Sequence, residues 1–212
     1  MVIVAPVAQL VEQIPLKDTV EGSSPSGRTM AYVSRAGEKL EHALREFKTD
    51  VTNLVCADFG SSTGGFVDCL LQSGAQKVYA VETGYGTLDW KLRNDTRVIV
   101  MERENAMHIV LPEKVDFITI DTSWTKLEKV VPNALLNLKP EGYIIALAKP
   151  HYEADQPRLI KGKLPEEAIS EVLNEVKTKL TRLGLEILNE TESPILGEKG
   201  KNKEFLFYLK RA

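Results

Sequence analysis

A glycine-rich turn, residues 58–66 with the sequence DFGSSTGGF, carries the residue types best suited to ligand chemistry. An apolar run at 54–57 precedes the turn and another at 66–71 follows it, which predicts a buried strand, a turn and a helix. Glycines at such a turn let a ligand approach the backbone closely. The spacing D-x-G-x-x-x-G-G differs from the G-x-G-x-x-G fingerprint of dinucleotide sites. The segment therefore predicts a ligand-binding turn of another type, with an ordinary strand-to-helix loop as the alternative.

Polar side chains end or follow five successive strands of the predicted sheet. They are Asp58, Glu82, Glu102, Asn105, Asp121 and Lys149. Open α/β sheets bind ligands at the carboxyl ends of their strands. Lys149 ends the apolar run YIIALA, so we expect it to emerge from the core, either desolvated in a cleft or merely extending its charge to solvent. Any one of these residues could be a cap or a turn former, but six on one rim favour a site.

The hydrophobic pattern predicts that these residues are positioned by a doubly wound α/β sheet of seven strands. The strands are expected at 54–58, 77–82, 98–101, 115–121, 143–149, 185–191 and 204–210, and the main helices at 34–47, 64–72, 127–138 and 165–183. The first five strands are short, nearly continuous apolar runs, as in a parallel sheet covered on both faces. The last two follow Gly184 and fit an antiparallel hairpin at the sheet edge.

Composition places the chain among ordinary globular proteins. It has 212 residues, 43% of them hydrophobic, which suits one domain, and its net charge of −3 does not indicate a cationic nucleic-acid wrapper. Cys56 and Cys69 fall inside a predicted strand and helix, as core residues of a reduced cytoplasmic protein would. The histidines are scattered and no CxxC occurs, so we expect no metal site. The apolar run at 143–148 is too short to cross a membrane.

Four segments together resemble one family. They are YVSRAGEKLEHAL at 32–44, DFGSSTGGFVDCLLQSGA at 58–75, VETGYGTLDWKLRND at 81–95 and ALAKPHYE at 146–153. They are similar to the hemolysin A-like ribosomal RNA methyltransferases, within the wider FtsJ-like 2'-O-methyltransferase fold, over residues 31–211. The resemblance implies a Rossmann-like class I methyltransferase domain at 30–212, with S-adenosylmethionine as cofactor and ribosomal RNA or a ribosomal subunit as substrate.

The same resemblance implies which residues do the chemistry. A Lys-Asp-Lys-Glu tetrad falls on Lys39, Asp121, Lys149 and Glu204. The implied cofactor pocket consists of Asp58, Gly60, Ser61, Thr63, Gly64, Gly65, Phe66, Glu82, Glu102, Asn105 and Asp121. In that pocket the glycines would shape the methionine site, Glu82 would hold the ribose, and Glu102 or Asn105 would lie near the adenine. The strand-end pattern indicates Asp121 and Lys149 independently, whereas Lys39 and Glu204 look like ordinary surface charges.

The tetrad suits methyl transfer to a ribose hydroxyl. The sulfonium methyl is already activated, so the enzyme must position the 2'-hydroxyl and help to remove its proton. Lys149 can act as a base only when neutral; burial and the ammonium of Lys39 would lower its pKa, whereas Asp121 and Glu204 would raise it. The sequence therefore leaves Lys149 as either a base or an orienting group.

The first 29 residues differ from the rest. They resemble the product of a transfer-RNA gene translated by mistake, so we expect either a misplaced start, with Met30 as initiator, or a mobile tail. Family members usually begin with a small RNA-binding domain, and none is expected here before Tyr32. RNA affinity would then come from the catalytic domain or a partner. A phosphate-binding rim or solvated loop could be formed by Lys161, Lys163, Lys199, Lys201 and Lys203.

Other functions compete with ribosomal RNA methylation. One is methylation of a different RNA, such as transfer RNA. Another is binding of RNA or S-adenosylmethionine without catalysis, which the complete tetrad disfavours. A third is membrane lysis, which the family name suggests; no apolar stretch or basic amphipathic helix in the sequence favours it.

Overall fold

The computed structural model describes residues 31–197 and 202–212. The segment at 1–29, for which the sequence predicts a misplaced start or a tail, lies outside the described residues. Lys199 and Lys201 of the predicted phosphate rim also lie outside them.

A seven-stranded sheet with the order β3-β2-β1-β4-β5-β7-β6 forms the centre of the fold. Its strands are β1 (Val55–Phe59), β2 (Lys77–Glu82), β3 (Val98–Glu102), β4 (Val115–Ile120), β5 (Leu138–Ala148), β6 (Leu185–Glu192) and β7 (Phe205–Arg211). Strands β1 to β5 pair in parallel, whereas β7 is antiparallel to both β5 and β6. The predicted fold class, including the antiparallel C-terminal pair, is confirmed. Within that pair β7 lies inside the sheet and β6 forms the edge.

Helices cover both faces of the sheet. They are α1 (Ala36–Glu46), α2 (Gly65–Gln72), α3 (Trp90–Arg93), α4 (Leu127–Asn137), α5 (Pro150–Glu153) and α6 (Glu166–Arg182), with a 3₁₀ turn at Gln156–Arg158. Helices α3 and α5 were not predicted, because four residues are too few to show a helical period. None of the helices in the described part of the chain has the length and apolar character needed to cross a membrane.

Strand β5 begins at Leu138, five residues earlier than the apolar run at 143–149 predicts. The early part contains Pro140 and Gly142, which normally indicate a turn. A register shift accommodates these residues, because Val115 pairs with Leu138 whereas Phe117 already pairs with Tyr143. The structure therefore corrects the predicted strand boundary through an irregularity that no local pattern reveals.

Two hydrophobic clusters form the core, one on each face of the sheet. On one face α4 and α6 bury Val130, Val131 and Leu180 against the sheet. On the other face α1 and α2 bury Leu40 and Leu70, together with Cys56 and Cys69. Burying one side chain such as Leu40 contributes about 1.5–3 kcal/mol. This packing fixes α1 and the start of α2 beside the carboxyl ends of β1, β4 and β5.

Candidate active site

A cleft of about 350 Å³ opens at the carboxyl ends of β1, β4 and β5, and we call it the rim cleft. It is lined by the four tetrad residues and by seven of the residues predicted for the cofactor. Those lining residues are Lys39, Asp121, Lys149, Glu204, Asp58, Gly60, Ser61, Thr63, Gly65 and Phe66, with Asp121 belonging to both sets. The structure therefore brings most of the predicted site into one cavity.

The tetrad consists of two ion pairs. The ammonium of Lys39 in α1 pairs with the carboxylate of Glu204, which lies directly before β7, and both side chains are buried. Lys149, directly after β5, donates to Asp121, directly after β4, with 2.5 Å between Nζ and Oδ1. Lys39 and Glu204 are 165 positions apart in the chain and meet only because α1 packs across the sheet toward β7.

The pairing with Asp121 raises the pKa of Lys149. Burial by itself lowers the pKa of Lys149, but the charge and hydrogen bond of Asp121, with a further contribution from Glu204, raise it more. The net result is a pKa above the usual value for lysine, so Lys149 is charged at neutral pH in this structure. The balance between burial and the carboxylates, which the sequence leaves open, therefore favours the charged form.

The glycine-rich turn places its backbone against the end of β4. Gly60 has φ of 93°, and a Cβ atom added there would lie 2.5 Å from the carbonyl oxygen of Asp121. The amides of Gly60 and Ser61 both donate to the carbonyl of Val81, at 2.9 and 3.0 Å. Gly64 has φ of 100° and caps α2, and a Cβ there would lie 2.8 Å from Leu88. Both glycines are required by backbone conformation and by close packing.

Two buried side-chain oxygens beside the rim cleft lack hydrogen-bond partners within the described part of the chain. Asp58 is 1% exposed; its Oδ1 accepts a hydrogen bond of 2.6 Å from Thr119, but its Oδ2 has no partner. The hydroxyl of Ser61 also has none. Burial raises the pKa of Asp58 to about 7, the Thr119 bond opposes this rise, and the charges of Asp121 and Glu82 add to it. Buried polar atoms without partners are the groups that a polar ligand would satisfy.

Comparison with known proteins identifies the family of the chain and agrees with its fold. The FtsJ-like methyltransferase family matches residues 32–211. The chain belongs to this family. It is 40% identical over 188 residues to Hemolysin A of Brachyspira hyodysenteriae, covering 86% of this chain and 78% of that protein. It is 35% identical over 202 residues to the 16S/23S rRNA (cytidine-2'-O)-methyltransferase TlyA of Mycobacterium tuberculosis, covering 92% of this chain and 74% of that protein.

A solved structure agrees with this assignment. A protein from Streptococcus thermophilus that carries a provisional hemolysin name is 37% identical and superposes with a TM-score of 0.84. The match covers 88% of this chain and 70% of that one. The predicted family, enzyme class and cofactor are confirmed: this FtsJ-like methyltransferase uses S-adenosylmethionine.

The rim cleft of the methyltransferase fits that cofactor. The turn at Gly60 has no side chain, so a ligand can approach its backbone closely. The side-chain oxygens of Asp58 and Ser61 that lack partners can form hydrogen bonds with polar groups of the cofactor. When bound, S-adenosylmethionine supplies a methyl group that is activated by the sulfonium charge. The turn and the two ion pairs share one cavity, so a substrate oxygen held by Lys149 would lie close to the residues that hold the cofactor.

Three other residues predicted to bind the cofactor lie at the same end of the sheet but do not line the rim cleft. They are Glu82, Glu102 and Asn105. Glu82 accepts hydrogen bonds from the amides of Ser62 at 2.9 Å and Gly84 at 2.8 Å. Glu102 pairs with Arg93 of α3 and accepts a hydrogen bond of 2.8 Å from the amide of Gly86. These contacts shape the loops after β1 and β2, and the roles of Glu82 and Glu102 toward ribose and adenine stay predictions.

Asn105 is exposed, and its side-chain carbonyl accepts a hydrogen bond of 2.9 Å from the amide of Met107. This bond stabilises the turn after β3, and the predicted role of Asn105 near the adenine is likewise untested. Gly64 also stays outside the lining of the rim cleft, although it caps the helix whose first residues line it.

Sequence reasoning missed three ring-bearing residues of the methyltransferase that line the rim cleft: Trp124, His151 and Tyr152. Burial, followed by the charge of Lys149, lowers the pKa of His151 to about 4, so this ring is neutral at pH 7. The rings of Tyr152 and Trp124 lie 4.8 Å apart between centroids. His151 and Tyr152 follow Lys149 almost directly in the segment ALAKPHYE, which is the signal that could have indicated them.

The predicted lysine rim is only partly described. Lys203 pairs with Glu166 at 2.6 Å, so a neighbouring carboxylate compensates its charge. Lys161 has φ of 50° in a turn closed by hydrogen bonds between Ile160 and Lys163. A common phosphate-binding role of these lysines stays a prediction.

Proposed function

We propose that this methyltransferase transfers the methyl group of S-adenosylmethionine to a ribose 2'-hydroxyl of ribosomal RNA, in the cytoplasm. The observation that carries the proposal is the arrangement of Lys39–Glu204 and Lys149–Asp121 as two ion pairs in the cavity that also contains the glycine-rich turn. The similarity to TlyA, a 16S/23S rRNA (cytidine-2'-O)-methyltransferase, supports the same acceptor atom and the same RNA.

In this proposal Lys149 orients the hydroxyl. Its raised pKa keeps the ammonium charged, and a charged ammonium can donate a hydrogen bond to the ribose oxygen. Asp121 holds Lys149 in place, and Lys39 with Glu204 lines the same cleft. A role as base would require Lys149 to lose its proton first, against the field of Asp121. Since the methyl group is already activated, positioning the oxygen is the main contribution that these residues make.

The test is transfer of labelled methyl from S-adenosylmethionine to isolated ribosomal subunits and, separately, to total RNA that contains transfer RNA. We expect label in ribosomal RNA. A methylated 2'-oxygen cannot attack the adjacent phosphodiester, so the label should remain in an alkali-resistant dinucleotide. Label in the bases, released as alkali-sensitive mononucleotides, would contradict the ribose assignment.

Two alternative functions give different results in the same experiment. Methylation of another RNA would place the label in transfer RNA and leave ribosomal RNA unlabelled. A protein that only binds would retain S-adenosylmethionine in a parallel titration and label neither RNA. Either result would overturn ribosomal RNA methylation as the function.

A further inference from the structure

A second cavity, of about 410 Å³, shares Trp124 and Tyr152 with the rim cleft, and we call it the side groove. Its other lining residues include Met107, Lys126 and Lys129. The rings of Trp124 and Tyr152 contact each other in a tilted arrangement, with 4.8 Å between centroids and 33° between planes. This pair, which we call the aromatic wall, is common to both cavities, so the side groove is continuous with the candidate active site.

Among the described residues that line the side groove, one positive charge is uncompensated. Lys126 pairs with Asp155, another lining residue, at 2.9 Å, and these two charges cancel. Lys129 forms no ion pair with any residue in the described ranges. Lys129 also lies in the first turn of α4, where the helix dipole adds a positive potential. The side groove is therefore suited to a group with a single negative charge.

The aromatic wall exposes more of its surface than a pair that served only to pack the fold would expose. Trp124 is 73% exposed. Its φ of 62° is a left-handed conformation that is unfavourable for a bulky side chain. Such strain persists where the surrounding structure enforces it, and it concentrates at binding sites. An exposed aromatic surface beside an uncompensated lysine matches the two parts of a nucleotide, the base and the phosphate.

We propose that the side groove binds the nucleotide adjacent to the methylated one in the RNA strand. Its base packs on the aromatic wall and its phosphate contacts Lys129. The proposal rests on the proposed function, because it takes the rim cleft as the place of the methylated nucleotide. The side groove then holds a single-stranded segment, because a base that is paired and stacked in a helix cannot reach the aromatic wall.

The test uses the intrinsic fluorescence of the wall. The chain has 2 tryptophans, so a Trp90→Phe variant leaves Trp124 as the only one. Trp90 is 76% exposed, and we expect its replacement to be tolerated. This variant is titrated with a single-stranded oligocytidylate of six nucleotides at several salt concentrations. We expect quenching of Trp124 fluorescence and a dissociation constant that rises with salt.

A lysine substitution then tests the phosphate contact. In the Trp90→Phe background, Lys129→Gln should weaken binding several-fold and reduce the slope of log affinity against log salt by about 0.7, the value for one single-strand phosphate. The matched control is Lys114→Gln. Lys114 is exposed and lies just before β4, at the amino end of that strand and so at the end of the sheet opposite the rim cleft. We expect the control to leave both the affinity and the salt slope unchanged.

The outcomes separate this inference from the proposed function. No quenching, or a Lys129→Gln variant that behaves like Lys114→Gln, would overturn the assignment of the side groove, whatever the methylation assay gives. Quenching with the expected loss of slope would support it. If the protein with its natural tryptophans labels no ribosomal RNA while these binding results hold, the proposed function fails and the side groove remains a single-strand binding site.

Discussion

At the scale of single residues, the site depends on how each buried charge is compensated. Lys39 and Glu204 are nearly inaccessible to solvent and compensate each other, as do Lys149 and Asp121. Asp58 has no such partner, and burial raises its pKa to about 7, so its carboxyl is partly protonated at neutral pH. The rim cleft thus combines two compensated ion pairs with one acid that can gain or lose a proton near pH 7.

Replacement of Lys149 tests its role toward the hydroxyl. We expect Lys149→Ala to reduce methyl transfer at least about 10²-fold, the size of effect usual for a positioned catalytic group. Affinity for S-adenosylmethionine, measured by calorimetry, should change little because the cofactor is held mainly by the glycine-rich turn. Lys114→Ala serves as the control and should retain activity. A parallel loss of cofactor affinity in Lys149→Ala would reject this division of roles.

The pH dependence of stability tests the burial of Asp58. Its pKa is about 7 in the folded protein, above the value of about 3.9 for an unfolded chain. Between these values the folded state retains a proton that the unfolded state has lost, so this group lowers the free energy of unfolding as pH rises toward 7. Asp58→Asn removes this contribution to the pH dependence of the free energy of unfolding. The free energy of unfolding of the variant, relative to that of the unchanged protein, should therefore rise by about 2–3 kcal/mol between pH 5 and pH 8, as measured by urea unfolding.

An equal stability difference at both pH values would contradict this account, because it would mean that Asp58 ionises alike in the folded and unfolded states. The charges nearest to the carboxyl, on Asp121 and Glu82, act in the same direction as burial, whereas the Thr119 hydroxyl acts against it. Circular dichroism at each pH would verify that the unliganded variant is folded before the comparison is made.

At the scale of elements, the turn between β1 and α2 and the contact between α1 and β7 hold the site together. The turn contacts the end of β4 through Gly60, without room for a side chain. Helix α1 is joined to the residue before β7 by the buried pair of Lys39 and Glu204. Both contacts place residues in the lining of the rim cleft.

Substitution of Gly60 tests the contact between the turn and β4. Gly60→Ala places a methyl group where only 2.5 Å separates it from the Asp121 carbonyl, so the turn must move away from β4. We expect S-adenosylmethionine to bind at least about tenfold more weakly and stability to fall by about 1–3 kcal/mol. Gly184→Ala is the matched control, because Gly184 has φ of 83° with no atom within 4 Å of the added carbon. It should destabilise through backbone strain alone and leave cofactor affinity unchanged.

The buried ion pair between α1 and the start of β7 is tested by removing one partner or both. Lys39→Met leaves the Glu204 carboxylate buried without its ion-pair partner, and urea unfolding should give a loss of about 3–5 kcal/mol. The double variant Lys39→Met, Glu204→Leu removes both charges and should be more stable than the single one. The exposed pair of Lys77 and Glu113, at 2.8 Å, provides the comparison. Lys77→Met should cost less than about 1 kcal/mol.

Equal losses from Lys39→Met and Lys77→Met would contradict the buried character of the first pair. A double variant that is less stable than Lys39→Met would instead indicate that packing of the two stems, rather than their charges, dominates this contact. Both variants of the tetrad should lose methyl transfer, so stability is the quantity that distinguishes these cases.

At the scale of the whole molecule, the sheet and both cavities lie within one folded unit that the family matches from residue 32 to residue 211. The chain is already fixed to that unit at its first described residues. The carbonyl of Ala31 accepts a hydrogen bond of 3.1 Å from Gln72, and the amide of Val33 donates one of 2.9 Å to Asp68. Among the described residues, this unit contains both ion pairs and the glycine-rich turn of the rim cleft.

We expect a chain that begins at Met30 to keep the thermal midpoint, the cofactor affinity and the RNA methylation of the full chain. The reason is that the elements of the sheet and the lining residues of the rim cleft and the side groove all fall within residues 32–211, the range that the family matches. Thermal unfolding, calorimetry and labelled-methyl transfer measure the three quantities in parallel. Loss of RNA methylation with unchanged cofactor affinity would instead assign RNA binding to the segment at 1–29.

The sequence by itself determined the local features of this protein. Apolar runs indicated all seven strands and the main helices, because the buried residues of a strand or helix form a hydrophobic pattern that can be read from the sequence. Glycine spacing indicated the turn, and strand-end polarity indicated Asp121 and Lys149. The family resemblance added Lys39 and Glu204, which no local pattern distinguishes from surface charges.

Only the tertiary structure decided the features that depend on distant partners. It placed β7 between β5 and β6, shifted the register where β5 begins, and brought Lys39 to Glu204. It also decided that the carboxylates, rather than burial, dominate the pKa of Lys149, and that Trp124 and Tyr152 form a common wall between two cavities. The physical reason is that burial, electrostatic fields and ring contacts arise between elements that are distant in the chain. The hydrophobic pattern of the sequence reflects only which face of each single element is buried.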